Sequence, residues 1–195
     1  LEIGAGRCKS ELYETLLNQY YGKEIFENKN ILDIGCNAGG NLVELSKFNP
    51  KFLTGIDYST ISLKQCDYIL KLKNIQNYSI FNYSFKDEFS YKQYETELKK
   101  FDIIFCLGVI YHCKKKTVQD ILKYLYNCGK KIIMSSQTFN SPARRNVNWD
   151  VSKKNIEKMV LDAGFSNIKV LTCKEADDYS SLKGLTNDFY FECIH

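Results

Sequence analysis

Apolar positions along this chain alternate between two periods. Some recur every third or fourth residue, as on a half-buried helix, and others form the short unbroken runs of a strand covered on both faces. Leu12, Leu16, Leu17 and Tyr20 fall at helical spacing, which predicts a helix over Glu11 to Tyr21 within a lead-in of residues 1–29. Asn30 to Ile34 reads as a first strand and Lys51 to Asp57 as a second. Between them Leu42, Val43, Leu45 and Phe48 give a helix its buried face, and Pro50 stops it. Ile61, Leu63, Cys66, Ile69 and Leu70 then form the face of a helix over Ser59 to Lys73, and Tyr78 to Tyr83 reads as strand three.

The second half repeats the alternation. Phe101 to Leu107 is a bulky apolar run closed by Gly108, short enough to be a buried strand. Thr117 is predicted to start a helix, with Asp120 three residues on as in a capping box, Val118, Ile121, Leu122 and Leu125 as its stripe, and Gly129 closing it. Lys131 to Ser136 is strand five and Ser141 to Asn148 a polar loop. Asp150 or Ser152 caps a helix with Ile156, Met159, Val160 and Ala163 inward and Gly164 at its end. Asn167 to Cys173 and Asp188 to Ile194 are the last strands, and the polar tract Tyr83 to Lys100 reads as loop, helix or both. Strands and helices in alternation predict an α/β fold, a parallel sheet with helices on both faces.

With 195 residues and 44% hydrophobic content, one core and one domain over residues 1–195 are expected. A net charge of +4 and a pI near 8.5 fall short of the basic bias of a dedicated nucleic-acid binder, so no DNA partner is expected, while an anionic substrate is permitted. No apolar run approaches the ~20 residues that cross a bilayer. The eight cysteines, Cys8, Cys36, Cys66, Cys106, Cys113, Cys128, Cys173 and Cys193, include no CxxC pair. They read as reduced, mostly buried thiols of a cytoplasmic or otherwise reducing setting, with no metal site expected.

The chemistry concentrates in ILDIGCNAGGN, Ile31 to Asn41. An apolar strand carries one acid, Asp33, and breaks into a glycine-rich turn. Twenty-two residues after Gly35, strand two ends in Asp57, whose carboxylate can accept from both hydroxyls of a ribose. This layout suits a cofactor with an adenosine and a charged amino-acid end. A dinucleotide fingerprint wants GxGxxG, its second glycine letting backbone approach the pyrophosphate. Gly35, Asn37 and Gly40 supply two of those three glycines, and Asn37 crowds the place of the phosphates. An acid inside a central strand is expensive to bury unless a cation or donor meets it, and a sulfonium amino acid brings an ammonium.

The order DxGxxxG (Asp33, Gly35, Gly39), GIDYS (Gly55 to Ser59), FDIIFCLGVIYH (Phe101 to His112) and a late AGF (Ala163 to Phe165) resembles class I S-adenosylmethionine-dependent methyltransferases. LGVIYH (Leu107 to His112) and NVNWDVSKKNIEKMVLDAGF (Asn146 to Phe165) are most similar to the transfer-RNA wobble-uridine methyltransferases and carboxymethyltransferases. The likeness runs from about Asn30 to the C-terminus. Such enzymes carry a long N-terminal extension, expected to be absent here, and Cys113, followed by Lys114, stands where a basic residue usually follows YH.

The resemblance implies a Rossmann-like doubly wound sheet of seven strands in the order 3-2-1-4-5-7-6, mostly parallel with the last strand antiparallel. It implies that Gly35, Cys36, Asn37 and Gly39 wrap the methionine part and that Tyr58 lies beside the adenosine. Ser84, or Asn82, stands where the superfamily often has an acid for the adenine amine. Leu107 and Gly108 place backbone near the sulfonium. Tyr111 offers a π face or hydroxyl there, or packs. His112 lies just past a strand tip where open α/β sheets bind ligands, and there it either takes a proton or shapes the loop. Lys114, Lys115, Lys116, Arg144 and Arg145 line the same rim, as a phosphate site or a solvated face. The expected cofactor is S-adenosylmethionine, with its carboxylated form disfavoured by Cys113. The expected acceptor is an oxygen or nitrogen nucleophile of a small molecule or RNA, and the competing role is a non-catalytic subunit supporting a partner enzyme.

Overall fold

The computed structural model describes residues 23–83, 101–137, 150, 152–171 and 188–194. By internal contacts the chain divides into two compact units, Leu1–Tyr83 and Ser84–His195. The expected helix over Glu11 to Tyr21, the tract after Tyr83, and the loop Ser141 to Asn148 with Arg144 and Arg145 lie outside the described residues.

In the first unit a 3-10 turn, Lys23–Ile25, precedes β1 (Asn30–Ile34), α1 (Gly40–Ser46), β2 (Phe52–Asp57), α2 (Thr60–Leu72) and β3 (Tyr78–Asn82). β2 pairs in parallel with both β1 and β3. Ile31, Leu32 and Ile34 are fully buried with Leu42, Leu45 and Leu70, each such side chain contributing roughly 1.5–3 kcal/mol over its exposed state. Phe26 closes the end of this core against Phe48, with ring centroids 5.2 Å apart. Ser59 caps α2, its Oγ accepting from the Ser62 N–H at 3.2 Å. The buried stripe of α2 is Leu63, Cys66 and Leu70. Ile61, expected to face inward, is 71% exposed. It stands two residues before Leu63, about 200° around the helix from it, so the stripe cannot include both. Asp67 ties α2 to β3, accepting from the Tyr78 hydroxyl at 2.7 Å and from Lys71 at 2.6 Å.

The second unit carries β4 (Phe101–Cys106), a 3-10 turn (Ile110–His112), α3 (Lys115–Cys128), β5 (Gly129–Gln137), α4 (Lys153–Asp162), β6 (Asn167–Leu171) and β7 (Asp188–Ile194). β4 and β5 are parallel, and β7 runs antiparallel to both β5 and β6. The strand order is β3-β2-β1-β4-β5-β7-β6, the seven-stranded, mostly parallel α/β sheet expected.

Two local expectations are corrected here, and between the two expected caps of α4 the structure divides the role. α3 starts at Lys115, with Lys114 as its N-cap and no side-chain cap, so Thr117 is the third helical residue and caps nothing. Gly129 is not a left-handed helix terminator: its φ of −139° is extended, and β5 begins on it directly. Glycine is required there for closeness, because a Cβ would stand 2.6 Å from Ile104 Cδ1 on β4. At α4, Ser152 holds the cap position, but it is Asp150 that bonds, accepting from the Ser152 N–H at 2.9 Å and Oγ at 3.0 Å. Across β5 and β7 the buried Glu192 meets Lys131 at 3.5 Å. Cys36, Cys66, Cys106, Cys113, Cys128 and Cys193 are buried free thiols. Among the described residues no helix is long and apolar enough to cross a membrane.

Candidate functional site

The register of β1 against β2 places the two acids. Asp33 pairs with Gly55, and Asp57 lies two residues further along β2. Side chains two apart in a strand share a face, so both carboxylates belong to the same side of the sheet, Asp33 one residue inside its strand and Asp57 at its tip. Both are buried.

Their environments differ. Asp57 is held from two directions: Oδ2 accepts from the Asn37 N–H at 3.0 Å and Oδ1 from the Ser59 N–H at 2.8 Å. It thus clasps the glycine-rich turn to the tip of β2. Each carboxylate oxygen has two acceptor directions, so one remains on each after these bonds. Asp33 makes no such bonds. Burial pushes its carboxyl up to about 7, the neighbouring Asn41 amide pulls down, and the Asp57 charge pushes up further.

The turn between them is fixed by backbone. The Gly35 and Cys36 N–H groups both donate to the Ile56 carbonyl, at 2.8 and 3.1 Å, and the Gly39 N–H donates to the Cys36 carbonyl at 2.9 Å. Asn37 has φ +49°, a left-handed conformation asparagine tolerates, and its N–H is the one Asp57 holds. Gly39, at φ +83°, has Cys66 Sγ only 2.6 Å from where a Cβ would stand. Gly40, by contrast, faces open space. Cys36 is buried, and its thiol pKa is raised by a hydrogen bond with Cys66 and by burial, which marks an inert sulfur. Whatever Cys36 offers a ligand is therefore backbone.

Tyr58 follows Asp57 and is 59% exposed. The Asn82 amide reaches back from β3, its Nδ2 donating to the Asp57 carbonyl at 3.1 Å and the Tyr58 carbonyl at 2.9 Å. Asn82 therefore stiffens the backbone that presents Tyr58. Ser84, the other candidate at that position, lies outside the described residues.

In the second unit Leu107 is buried at the end of β4, and Gly108 turns the chain with φ +73°. His112 is exposed in the 3-10 turn; the Tyr111 side chain lies outside the described residues. Cys113 is buried, its thiol directed to the Val109 carbonyl at 3.8 Å. Lys114, Lys115 and Lys116 are exposed at the start of α3.

Sequence reasoning missed Asn41. It sits in the first turn of α1, 5% exposed, and neither Nδ2 nor Oδ1 has a hydrogen-bond partner. Its amide is close enough to Asp33 to lower that pKa, yet short of a hydrogen bond of normal geometry. The signal was present as an asparagine four residues before Leu45 and seven before Phe48, on the apolar stripe itself.

A family model described as a methyltransferase domain matches residues 25–178. The tRNA U34 carboxymethyltransferase of Nautilia profundicola is 35% identical over 116 residues, covering 56% of this chain and 35% of that protein. The protein of that name from Helicobacter pylori J99 is 26% identical over 161 residues, covering 75% and 59%. The chain thus spans between about a third and three fifths of the length of these curated relatives. Among solved structures, the methyltransferase domain of bacterial CtHen1-C superposes with a TM-score of 0.67 at 19% identity, covering 95% of this chain and 96% of that one. Magnesium protoporphyrin IX methyltransferase from Synechocystis PCC 6803, with bound SAH, does so at 0.69 and 13%, covering 96% and 83%. At these identities the likeness to both is one of fold.

Proposed function

This chain belongs to the methyltransferase domain family, and from that premise we propose that it is an S-adenosylmethionine-dependent methyltransferase acting on an oxygen or nitrogen nucleophile. The observation that carries the reading is the pair of buried carboxylates on one face of the first unit, one clamped by backbone amides and the other beside the Asn41 amide with its pKa raised by burial. They match the two ends of a nucleoside amino acid. Asp57 keeps one acceptor direction per oxygen for the two ribose hydroxyls, and its amide bonds fix their position before any ligand arrives. Asp33, costly to ionise alone, gains most from an ammonium. The backbone of Gly35, Cys36, Asn37 and Gly39 wraps the chain joining those ends, and Tyr58 lies along the adenosine.

When bound, the sulfonium supplies an electrophilic methyl group. The protein has little bond chemistry to perform, so orientation and exclusion of water carry much of the rate. Ser84, Leu107, Tyr111 and His112 keep their roles in this proposal on the family resemblance, His112 as the group that takes a proton from the acceptor.

RNA is the acceptor class best supported. The relatives' names point to tRNA, and three exposed lysines, Lys114 to Lys116, gather at an uncapped helix start in the second unit. Those names also favour a second reading, transfer of a carboxymethyl group. Against it, Cys113, which is buried, stands at the position where the family resemblance implies a basic residue to meet the added carboxylate.

Calorimetry with S-adenosylhomocysteine and NADH tests the cofactor. Binding of the first and not the second is expected, and the reverse would overturn the reading. Nucleoside mass spectrometry of tRNA incubated with the chain and either form of the cofactor then reports the group moved. New mass on a tRNA nucleoside is expected, and unmodified tRNA beside a methylated small metabolite would move the acceptor to the other class.

A further inference from the structure

Asn41 is a buried polar side chain that the fold leaves unsatisfied. It is 5% exposed, follows the glycine-rich turn directly, and has no hydrogen-bond partner at Nδ2 or Oδ1. Structure alone does not explain its presence. Leu42 and Leu45, its buried neighbours on α1, show that the helix packs through apolar side chains. An apolar residue of similar volume avoids the desolvation penalty that an unpaired amide pays at this position. Beside it stands the equally buried Asp33, whose carboxyl the Asn41 amide is close enough to influence.

Together the two side chains present complementary chemistry. Asp33 as a carboxylate only accepts; the Asn41 amide both donates, through Nδ2, and accepts, through Oδ1. A zwitterionic α-amino acid presents the mirror image, an ammonium with three donors next to a carboxylate that only accepts. We propose that Asp33 and Asn41 form a two-point reader of a free α-amino-acid group, Asp33 and the Asn41 Oδ1 receiving the ammonium and the Asn41 Nδ2 donating to the carboxylate. This rests on the cofactor reading above and adds to it a residue and a selectivity. Nucleosides with the amino-acid end intact are distinguished from those without it by Asn41, while Asp57 holds both kinds alike.

Substitution of Asn41 by Leu, with Asn41→Ala as a second variant, separates this role from a merely structural one. Three quantities are read on the full chain: affinity for S-adenosylhomocysteine, affinity for 5′-methylthioadenosine, which lacks the amino-acid end, and stability without ligand. Loss of a hydrogen bond to a charged group predicts that S-adenosylhomocysteine binds roughly 10-fold or more weakly, with 5′-methylthioadenosine within about 2-fold of wild type. Asn41→Leu without ligand is expected to be at least as stable as wild type. Equal weakening of both nucleosides, or no change in either, overturns the proposal. So does an Asn41→Leu chain that is less stable, because Asn41 is then a structural group. Wild type that binds 5′-methylthioadenosine but not S-adenosylhomocysteine also overturns it, and wild type that binds neither overturns the cofactor reading itself.

Discussion

Replacing Asp33 by asparagine preserves shape and removes one ionisation, and the effect on stability follows from where that ionisation sits. The carboxyl titrates near its ordinary 3.8 in the unfolded chain and at about 7 in the folded one, chiefly because burial opposes the charge. Between those values the folded state holds a proton that the unfolded state has lost, so wild-type stability falls as pH rises through that window. The separation is about three pH units at ~1.4 kcal/mol each, or about 4 kcal/mol in full. The linkage relation gives Asp33→Asn an advantage over wild type of about 1 kcal/mol at about pH 4.5, growing to about 4 kcal/mol at about pH 8. Urea denaturation of both proteins at several pH values reads this directly. Saturating S-adenosylhomocysteine should shrink the difference at pH 8, since the ammonium favours ionised Asp33 in wild type and finds no charge in the variant. A difference that stays flat with pH refutes the assignment of Asp33 as a buried, uncompensated acid. The variant is thus expected to gain stability and lose ligand, the pattern of an acid kept for binding.

Asp57→Ala strips the acceptor from two amides, Asn37 N–H and Ser59 N–H. Bonds to a charged acceptor run about 1.5–3 kcal/mol each, so a loss of about 3 kcal/mol or more is expected in denaturant melts. Binding of 5′-methylthioadenosine should weaken as well, which distinguishes this acid from Asn41; unchanged binding would remove Asp57 from the site. Gly39→Ala forces φ +83° on a residue with a side chain and drives its Cβ against Cys66 Sγ, and it should lower stability by about 1–3 kcal/mol. Gly40→Ala meets nothing and lies in the first turn of α1, so it is expected to be neutral or stabilising by up to about 1 kcal/mol; thermal melts in which the two glycines behave alike would contradict the difference in their surroundings. Replacing Lys114, Lys115 and Lys116 together by alanine should leave stability undiminished, because cations oppose the helix dipole at the start of α3. The same change should weaken tRNA binding and flatten its dependence on salt in filter-binding assays, whereas identical salt slopes would mark these lysines as a solvated face.

How much of this was legible in the sequence depended on whether the cause was local. The strands and helices were, because period and punctuation are local properties, and the order of strands followed from the resemblance carried by Asp33, Gly35, Gly39 and the GIDYS stretch. The acids were legible because a charged residue in an apolar strand breaks the pattern that defines the strand. Gly129 and Thr117 were misread for the opposite reason. Gly129 follows an apolar helix and looks like its terminator, but what requires glycine is Ile104 on the neighbouring strand, 25 residues earlier and invisible to any window around the position. Thr117 matched a capping pattern, yet α3 begins two residues sooner and leaves that hydroxyl inside the first turn. Ile61 was placed on the α2 stripe because it is apolar, when its phase relative to Leu63 excludes it.

Asn41 shows where pattern reading stops. Counting apolar positions in α1 passes over a polar residue standing among them, although a polar group on a buried stripe carries the same information as an acid in a buried strand. Each is a place where the fold accepts a loss that packing does not return. Asp33 and Asn41 carry that loss side by side, one donating nothing and the other unable to complete a bond, next to a turn whose backbone is held shut by Asp57. Two independent accidents of design at adjacent positions explain this less well than a single ligand group satisfying both, and that is why the amino-acid end of the cofactor, more than the adenosine, is expected to set the free energy of binding at this site.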